Sequence, residues 1–189
     1  MKEFGNIYSR LGNPTVGALE ARLTALEEGA MCVALSSGTS AVMYSLINIM
    51  SQGDNFVTAN QLYGGTYTMF DNILPEYGID SKKVDITDLA AVENAIDDKT
   101  RAIYCETITN PGLVVADISA LSEIAHSKGI PLIVDATFTT SAILKPFEYG
   151  ADIVVYSLTK WMSGHGRVIA GAVIEKGGFD WGNGNFPLY

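Results

Sequence analysis

Two short runs, Ile133-Val134 and Ile153-Val154-Val155, carry no polar residue on either face. Successive side chains of a strand point to opposite faces, so such runs read as central strands of a parallel sheet with helices on both sides. Similar β-branched runs recur along the chain. Candidate strands fall at Met31–Leu35, Asn55–Ala59, Ser81–Val84, Arg101–Glu106, Pro131–Asp135, Asp152–Tyr156 and Ile169–Glu175. Amphipathic stretches alternate with them, and candidate helices span Thr15–Glu28, Ser40–Ser51, Thr66–Glu76, Asp88–Ile96 and Asp117–Lys128. Asn13-Pro14 is a start signal for the first helix and Gly129 a stop signal for the last. Alternation of this kind implies an α/β fold.

Composition narrows the function classes. The chain has 189 residues, 48% hydrophobic and only 17% charged, enough for one domain with a substantial core. Twelve Lys and Arg stand against 21 Asp and Glu, a net charge of −9. That balance argues against nucleic acid or an anionic membrane as partner, since both select a basic surface. No apolar run approaches the roughly 18–20 residues of a membrane helix. Met1-Lys2-Glu3-Phe4-Gly5 lacks the basic and apolar regions of a signal peptide. Cys32 and Cys105 lie in apolar runs without framework spacing, which fits small core residues in a reducing compartment, hence the cytoplasm.

In open α/β sheets ligands sit beyond the carboxyl ends of the strands, so the residues just past each strand matter most. Ser36-Ser37-Gly38-Thr39-Ser40 opens a helix after the first strand. Glycine there admits an anion to backbone N–H groups at a helix N-terminus, although a plain small-residue turn has the same composition. Lys160 comes after the sixth strand within Ser157-Leu158-Thr159-Lys160-Trp161. A partly desolvated lysine at such a place becomes a nucleophilic amine, able to form a Schiff base. Ser157 and Thr159 add hydroxyl donors. Asp135 ends the apolar run Ile130–Val134 and must find a cation or donors. A metal, a helix cap or a pyridinium nitrogen each fits that need. Tyr63, ahead of Gly64-Gly65, reads equally as a ring for stacking on a cofactor and as a packing residue in a turn. A lysine amine, an acidic partner for a ring nitrogen and a phosphate seat are together the requirements of pyridoxal 5′-phosphate (PLP).

In this order the segments resemble the Cys/Met-metabolism family of PLP enzymes, a branch of fold type I. They are Tyr8–Thr15, Ser36-Ser37-Gly38, Tyr63–Tyr67, Glu106-Thr107 with Asn110-Pro111, Val134-Asp135 with Thr137-Phe138, and Ser157–Lys160 with Gly164-His165-Gly166. The resemblance implies a large PLP-binding domain with three α/β/α layers and a seven-stranded, mostly parallel sheet over residues 15–189. Residues 1–14 would be part of an N-terminal arm that contacts a second subunit. It also implies roles: Lys160 as the Schiff-base lysine and proton shuttle, Asp135 as partner of the pyridine nitrogen, and Tyr63 as the stacking ring. Ser37, Gly38, Thr39, Ser157 and Thr159 would surround the phosphate, and Asn110 the cofactor's phenolic oxygen. Tyr8 and Arg10 would reach the phosphate of a neighbouring subunit, in a homodimer or homotetramer acting on a small amino-acid substrate.

Within the family, Lys2–Tyr8, Thr159-Lys160-Trp161 and Gly178–Trp181 with Asn183-Gly184 and Phe186-Pro187 are similar to the branch that performs γ-replacement on O-acetylhomoserine. Gly65, where the γ-lyases carry cysteine, points the same way. Ala136, Thr39, Arg167 and Tyr156 depart from the family's usual residues. Family members are longer and carry a C-terminal domain, so the resemblance makes this chain a fragment. Its tail, with Phe179, Trp181, Phe186 and Tyr189, is expected to pack on that absent domain. His126 is expected on a helix surface, and His165 as a loop-shaping residue.

Overall fold

The computed structural model describes residues 5–187 and residue 189. Residues 1–4 of the expected arm, and Lys2-Glu3-Phe4 of the branch-specific segment, lie outside the described residues. Seven strands form one sheet: β1 (Met31–Leu35), β2 (Asn55–Ala59), β3 (Asp80–Val84), β4 (Thr100–Glu106), β5 (Leu132–Asp135), β6 (Ile153–Ser157) and β7 (Gly171–Glu175). Their order across the sheet is β1-β7-β6-β5-β4-β2-β3. β7 is antiparallel to both of its neighbours. The other pairs are parallel, so the sheet is mixed and mostly parallel.

Helices α1 (Pro14–Glu27), α2 (Gly38–Ile47), α3 (Gly64–Thr68), α4 (Leu89–Ala95), α5 (Ile118–Ser127) and α6 (Thr140–Ile143) fill the connections. Alternation along β6 sorts them into two layers. The Tyr156 hydroxyl donates to Glu27 of α1, whereas the next residue, Ser157, abuts Gly38 of α2. Neighbouring residues of a strand face opposite ways, so α1 and α2 lie on opposite faces of the sheet. α5 packs on β4 and β5, and α4 on α5. Ser122 of α5 donates to Tyr149 in the 3₁₀ turn Pro146–Tyr149, and Lys145, just ahead of that turn, pairs with Glu28. These links join α4 and α5 to the layer of α1.

Local chemistry sets the element ends. The Asn13 side chain accepts from the N–H groups of Thr15 at 3.0 Å and Val16 at 3.3 Å, and Pro14 needs no partner at the first helical position. The Ser37 hydroxyl accepts from Ser40 N–H at 3.0 Å and so caps α2. Gly129, at φ +68°, turns the chain away from α5. The stretch Thr66–Glu76 departs from the regular helix that its pattern implies. α3 ends at Thr68 and passes into a π turn (Met69–Ile73) and a 3₁₀ turn (Leu74–Tyr77). Pro75 is the cause, because its ring clashes with the carbonyl four residues earlier in an α-helix and it offers no N–H. α6 and the turns Pro146–Tyr149 and Trp161–Ser163 are absent from the sequence-based assignment. Each is too short to show a period.

The core is a single cluster running through β2, β4, β5 and β6, and it includes both free cysteines. The aromatic tail corrects the sequence reading. Phe186 is 3% exposed. Phe179, Trp181 and Phe186 stack on one another with centroids 4.6–5.8 Å apart. Asn183 and Asn185 donate to the Gly129 carbonyl, fastening the tail to the end of α5 of this same domain. The nearby His126 is exposed, as expected, but its Nε2 lies 2.8 Å from the Asp152 carboxylate.

Leu121 of α5 is fully buried. Leu121→Ala is expected to lower the unfolding free energy by about 2–5 kcal/mol in urea denaturation. A loss below about 1 kcal/mol would place α5 outside the cooperative core.

Candidate active site

The carboxyl ends of β1, β2, β4, β5 and β6 surround a cleft of about 690 Å³. That volume suits a small organic ligand. β3 pairs only with β2, while β4 to β6 progress the other way across the sheet. The cleft therefore includes the point between β2 and β4 where the direction of the chain reverses, the usual location of a ligand crevice.

From β1 the chain enters α2 directly, so Ser37, Gly38 and Thr39 form one wall. The Gly38 and Thr39 N–H groups occupy the first turn of α2, where no helical carbonyl can serve them. β6 approaches from below: a Cβ on Gly38 would stand 2.4 Å from the Ser157 Cβ, so only glycine fits. Tyr63 comes after β2, with its ring 47% exposed to the cleft mouth. A Cβ on Gly65 would lie 2.7 Å from the Tyr63 Cε1, and the bare glycine lets the ring fold back. Asn110 lies beyond β4, and Thr137 and Phe138 lie beyond β5.

Two carboxylates stand at the floor. Asp135 ends β5 and Glu106 ends β4, in register with each other. Asp135 accepts from Thr137 N–H at 2.9 Å and from the Tyr104 hydroxyl at 3.3 Å. Glu106 Oε1 accepts from Tyr63 N–H at 2.7 Å, and Oε2 from Asn110 N–H at 3.0 Å. Neither makes an ion pair among the described residues. Burial raises the Asp135 carboxyl above its usual range, against hydrogen bonds from Thr137 and Tyr104. Burial, reinforced by the charge of Asp135, raises Glu106 to about 7, against its two backbone hydrogen bonds. Burial likewise pushes the Tyr104 hydroxyl well up.

The cleft thus collects nine residues singled out in the sequence: Ser37, Gly38 and Thr39 on one wall, Tyr63 and Asn110 on another, and Asp135, Ser157, Thr159 and Lys160 between them. Two details differ from expectation. Lys160 lines the cleft but is exposed, so the described residues do not supply the partial desolvation anticipated for its amine. The Thr159 hydroxyl is engaged with Ala170, donating to its carbonyl and accepting from its N–H, both at 3.2 Å. Tyr8 and Arg10, expected at the phosphate of a neighbouring subunit, do not line this chain's own cleft, and the Arg10 guanidinium lies over the Tyr8 ring at 5.1 Å. Glu106 carried no role in the sequence reading, yet it ends the buried run Ala102–Cys105 just as Asp135 ends its own. The signal that exposed one carboxylate exposes the other.

The donor set fits PLP. A buried carboxylate that makes no ion pair among the described residues suits a protonated ring nitrogen. Free N–H groups at a helix start, beside a glycine that admits close approach, suit a phosphate. Such a cleft in such a sheet defines an α/β domain built to seat an anionic aromatic cofactor. Residues 1–187 match the model of the Cys/Met metabolism PLP-dependent enzymes, and the chain belongs to that family.

An O-acetyl-L-homoserine sulfhydrylase of Leptospira meyeri is 47% identical over 189 residues, covering all of this chain and 43% of that protein. A homocysteine synthase of Schizosaccharomyces pombe is 47% identical over 185 residues, covering 96% of this chain and 42% of that protein. The chain spans less than half the length of these curated relatives. The crystal structure of a putative O-acetylhomoserine (thiol)-lyase from Campylobacter jejuni, with N′-pyridoxyl-lysine-5′-monophosphate, superposes with a TM-score of 0.93 at 41% identity. It covers 97% of this chain and 46% of that one. A cystathionine gamma-lyase of Lactobacillus plantarum gives a TM-score of 0.86 at 40% identity, covering 93% and 48%.

Gly38→Ala forces a Cβ against the backbone and side chain of Ser157. It is expected to destabilise the domain by about 1–3 kcal/mol in urea denaturation. An unchanged midpoint would show that the wall yields freely.

The carboxylates also set a pH response. Glu106, 5% exposed, has a folded pKa of about 7 against an ordinary 4.5. Between those values the folded state holds a proton that the unfolded state releases. The stability it contributes is full below about pH 4.5 and is lost as pH rises through about 7. Asp135 and Glu27, also raised by burial, act in the same direction. Asp85 and Asp97, lowered by their hydrogen bonds, stay ionised across this window. Unfolding free energy is expected to fall from about pH 5 to about pH 8, and Glu106→Gln to remove up to about 3 kcal/mol of that fall. A rise with pH, or an unaltered slope in the variant, would contradict this assignment.

Proposed function

We propose that the intact protein performs γ-replacement on O-acetylhomoserine, with sulfide or a thiol as the incoming nucleophile, giving homocysteine or methionine. The observation that carries the reading is that a buried carboxylate with no ion pair among the described residues, Asp135, and a lysine, Lys160, line one strand-end cleft. The names of the relatives in Leptospira and Schizosaccharomyces support the choice of reaction. When bound, PLP supplies an electron sink for the bond electrons freed at the substrate's α carbon.

The chain's own residues do the rest. Asp135 holds a proton on the ring nitrogen, and a negative charge at that floor favours the protonated form. The Gly38 and Thr39 N–H groups, Ser37 and the Ser157 hydroxyl receive the phosphate, with Thr159 lending its hydroxyl oxygen while bound to Ala170. Tyr63 stacks on the ring, and Asn110 stands by its phenolic oxygen. The Lys160 amine would hold the cofactor and, when free, would take the α proton and then a β proton from the substrate and later return both. Loss of the β proton would let the Cγ–O bond break and acetate leave; the sulfur nucleophile would then form the Cγ–S bond, and the β and α carbons would regain their protons.

Residues 15–189 form the cofactor domain in this reading, and residues 1–14 part of an arm that reaches a second subunit. Tyr8 and Arg10 complete the neighbour's phosphate site, in a homodimer or homotetramer. The exposed Ile7, Leu11, Val16, Leu19 and Leu26 are available to such an interface, which would also remove water from Lys160. Among the described residues no helix is long and apolar enough to cross a membrane. We place the enzyme in the cytoplasm, with a small amino acid as substrate and without nucleic-acid or membrane partners.

A second reading, elimination by a γ-lyase or cystathionine synthesis, is favoured by the likeness to the Lactobacillus enzyme. A third is a fragment or assembly module without turnover, consistent with the exposed Lys160. The purified chain and its Lys160→Ala variant are to be titrated with PLP, monitoring the near-visible band produced when an amine captures the aldehyde. The wild type is expected to show the band and the variant to lack it; identical spectra would end the cofactor role of Lys160. O-acetylhomoserine is then supplied to the intact protein with and without sulfide. Sulfide-dependent homocysteine supports replacement, 2-oxobutyrate and ammonia support the lyase, and no product with PLP bound supports the inactive module.

A further inference from the structure

No step of the proposed reaction uses Glu106, yet it is one of the most constrained groups in the cleft. It ends β4 and is 5% exposed. Its two oxygens serve different loops, Oε1 the Tyr63 N–H after β2 and Oε2 the Asn110 N–H after β4. β2 and β4 are the neighbours between which the chain reverses direction, so no single connection holds the two loops together. We propose that Glu106 is a positioning residue that ties these loops across the reversal point and thereby sets the width of the cleft between Tyr63 and Asn110.

The chemistry calls for an ionised carboxylate. Two converging N–H donors need two acceptors. Glutamine offers one acceptor and would aim its NH₂ at the other N–H, and a protonated carboxyl likewise keeps one good acceptor. The ionisable groups around Glu106 are Asp135 on β5, Tyr104 and Cys105 on β4 itself, and Tyr63 and Lys160 around the cleft. Burial above all, and the charge of Asp135, oppose the ionised form, while the two N–H groups favour it, placing the carboxyl at about 7. The clamp is therefore complete above that pH and half-released below it. Burying this charge costs stability at high pH, so the domain gives up stability where its cleft is best defined.

The proposal gains functional meaning from the reading of the cleft as the PLP seat, but its test begins without the cofactor. Backbone amide exchange of Tyr63 and Asn110 is measured in the wild-type chain, Glu106→Gln and Glu106→Ala, with the Val134 and Val155 amides as folding references. After division by the reference rates, which carry any change in global stability, roughly tenfold or greater accelerations are expected at both amides in Glu106→Ala and mainly at one in Glu106→Gln. Wild-type protection at both amides in Glu106→Ala would overturn the clamp. Should the variants not fold, the wild type decides alone. Protection at one amide, corrected for intrinsic exchange, is expected to fall between about pH 8 and about pH 6, whereas protection independent of pH at both would overturn the proposal. PLP binding then separates the two readings. Weaker binding by Glu106→Ala supports the link to cleft width, and equal binding overturns it. Failure of the wild type to bind PLP removes the proposed function and leaves the exchange result to judge the clamp.

Discussion

Two carboxylates share the floor of one cleft with no ion pair to either among the described residues, and much of the architecture depends on that arrangement. Parallel pairing places Glu106 and Asp135 in register at the ends of β4 and β5. A sheet covered on both faces leaves water only at the strand ends, so charge collects there or nowhere. Backbone N–H groups and the Tyr104 hydroxyl absorb part of the cost. The remainder appears as carboxyls lifted toward neutrality. A site held in this state is ready for a ligand with a cationic ring nitrogen, and structurally poorer without one.

Much of this was legible in the sequence because burial is written into residue type. β1 and β2 occupy the segments read as β-branched runs, β3, β4 and β5 shift by one residue at one end, β6 by one at both ends, and β7 begins two residues later. A residue at or just past the end of a buried run reaches the cleft, and that rule picks out Ser37, Tyr63, Asp135 and Lys160 without reference to three-dimensional contacts. It picks out Glu106 as well, to which the family resemblance attached no part. The remaining differences share a cause: they depend on contacts between distant segments. Nothing near Thr159 shows that Ala170 will claim its hydroxyl. Nothing in an aromatic tail shows that Asn183 and Asn185 will fasten it to Gly129. The π turn before Pro75 is an intermediate case, where a local breaker was visible but its remedy was not.

α1 has an unusual balance. It buries only Leu23 and Glu27, and Glu27 owes its place to the Tyr156 hydroxyl beneath the sheet. This helix is thus anchored to the sheet through a polar contact. Its outer apolar residues, Val16, Leu19 and Leu26, remain half open. Any surface packed over them would hold this helix from both sides.

The insertion of β7 between β1 and β6 bears on how the polypeptide is made. β1 is paired with β7 alone, and among the described strands β7 is the last to be synthesised. While the ribosome adds everything between them, β1 waits with no partner to hydrogen-bond, and β6 keeps one flank bare. Such long-separated pairing slows folding and leaves adhesive edges on the nascent chain. Chaperone holding before β7 emerges would guard that interval, and the strand that completes the sheet also ends the period of risk.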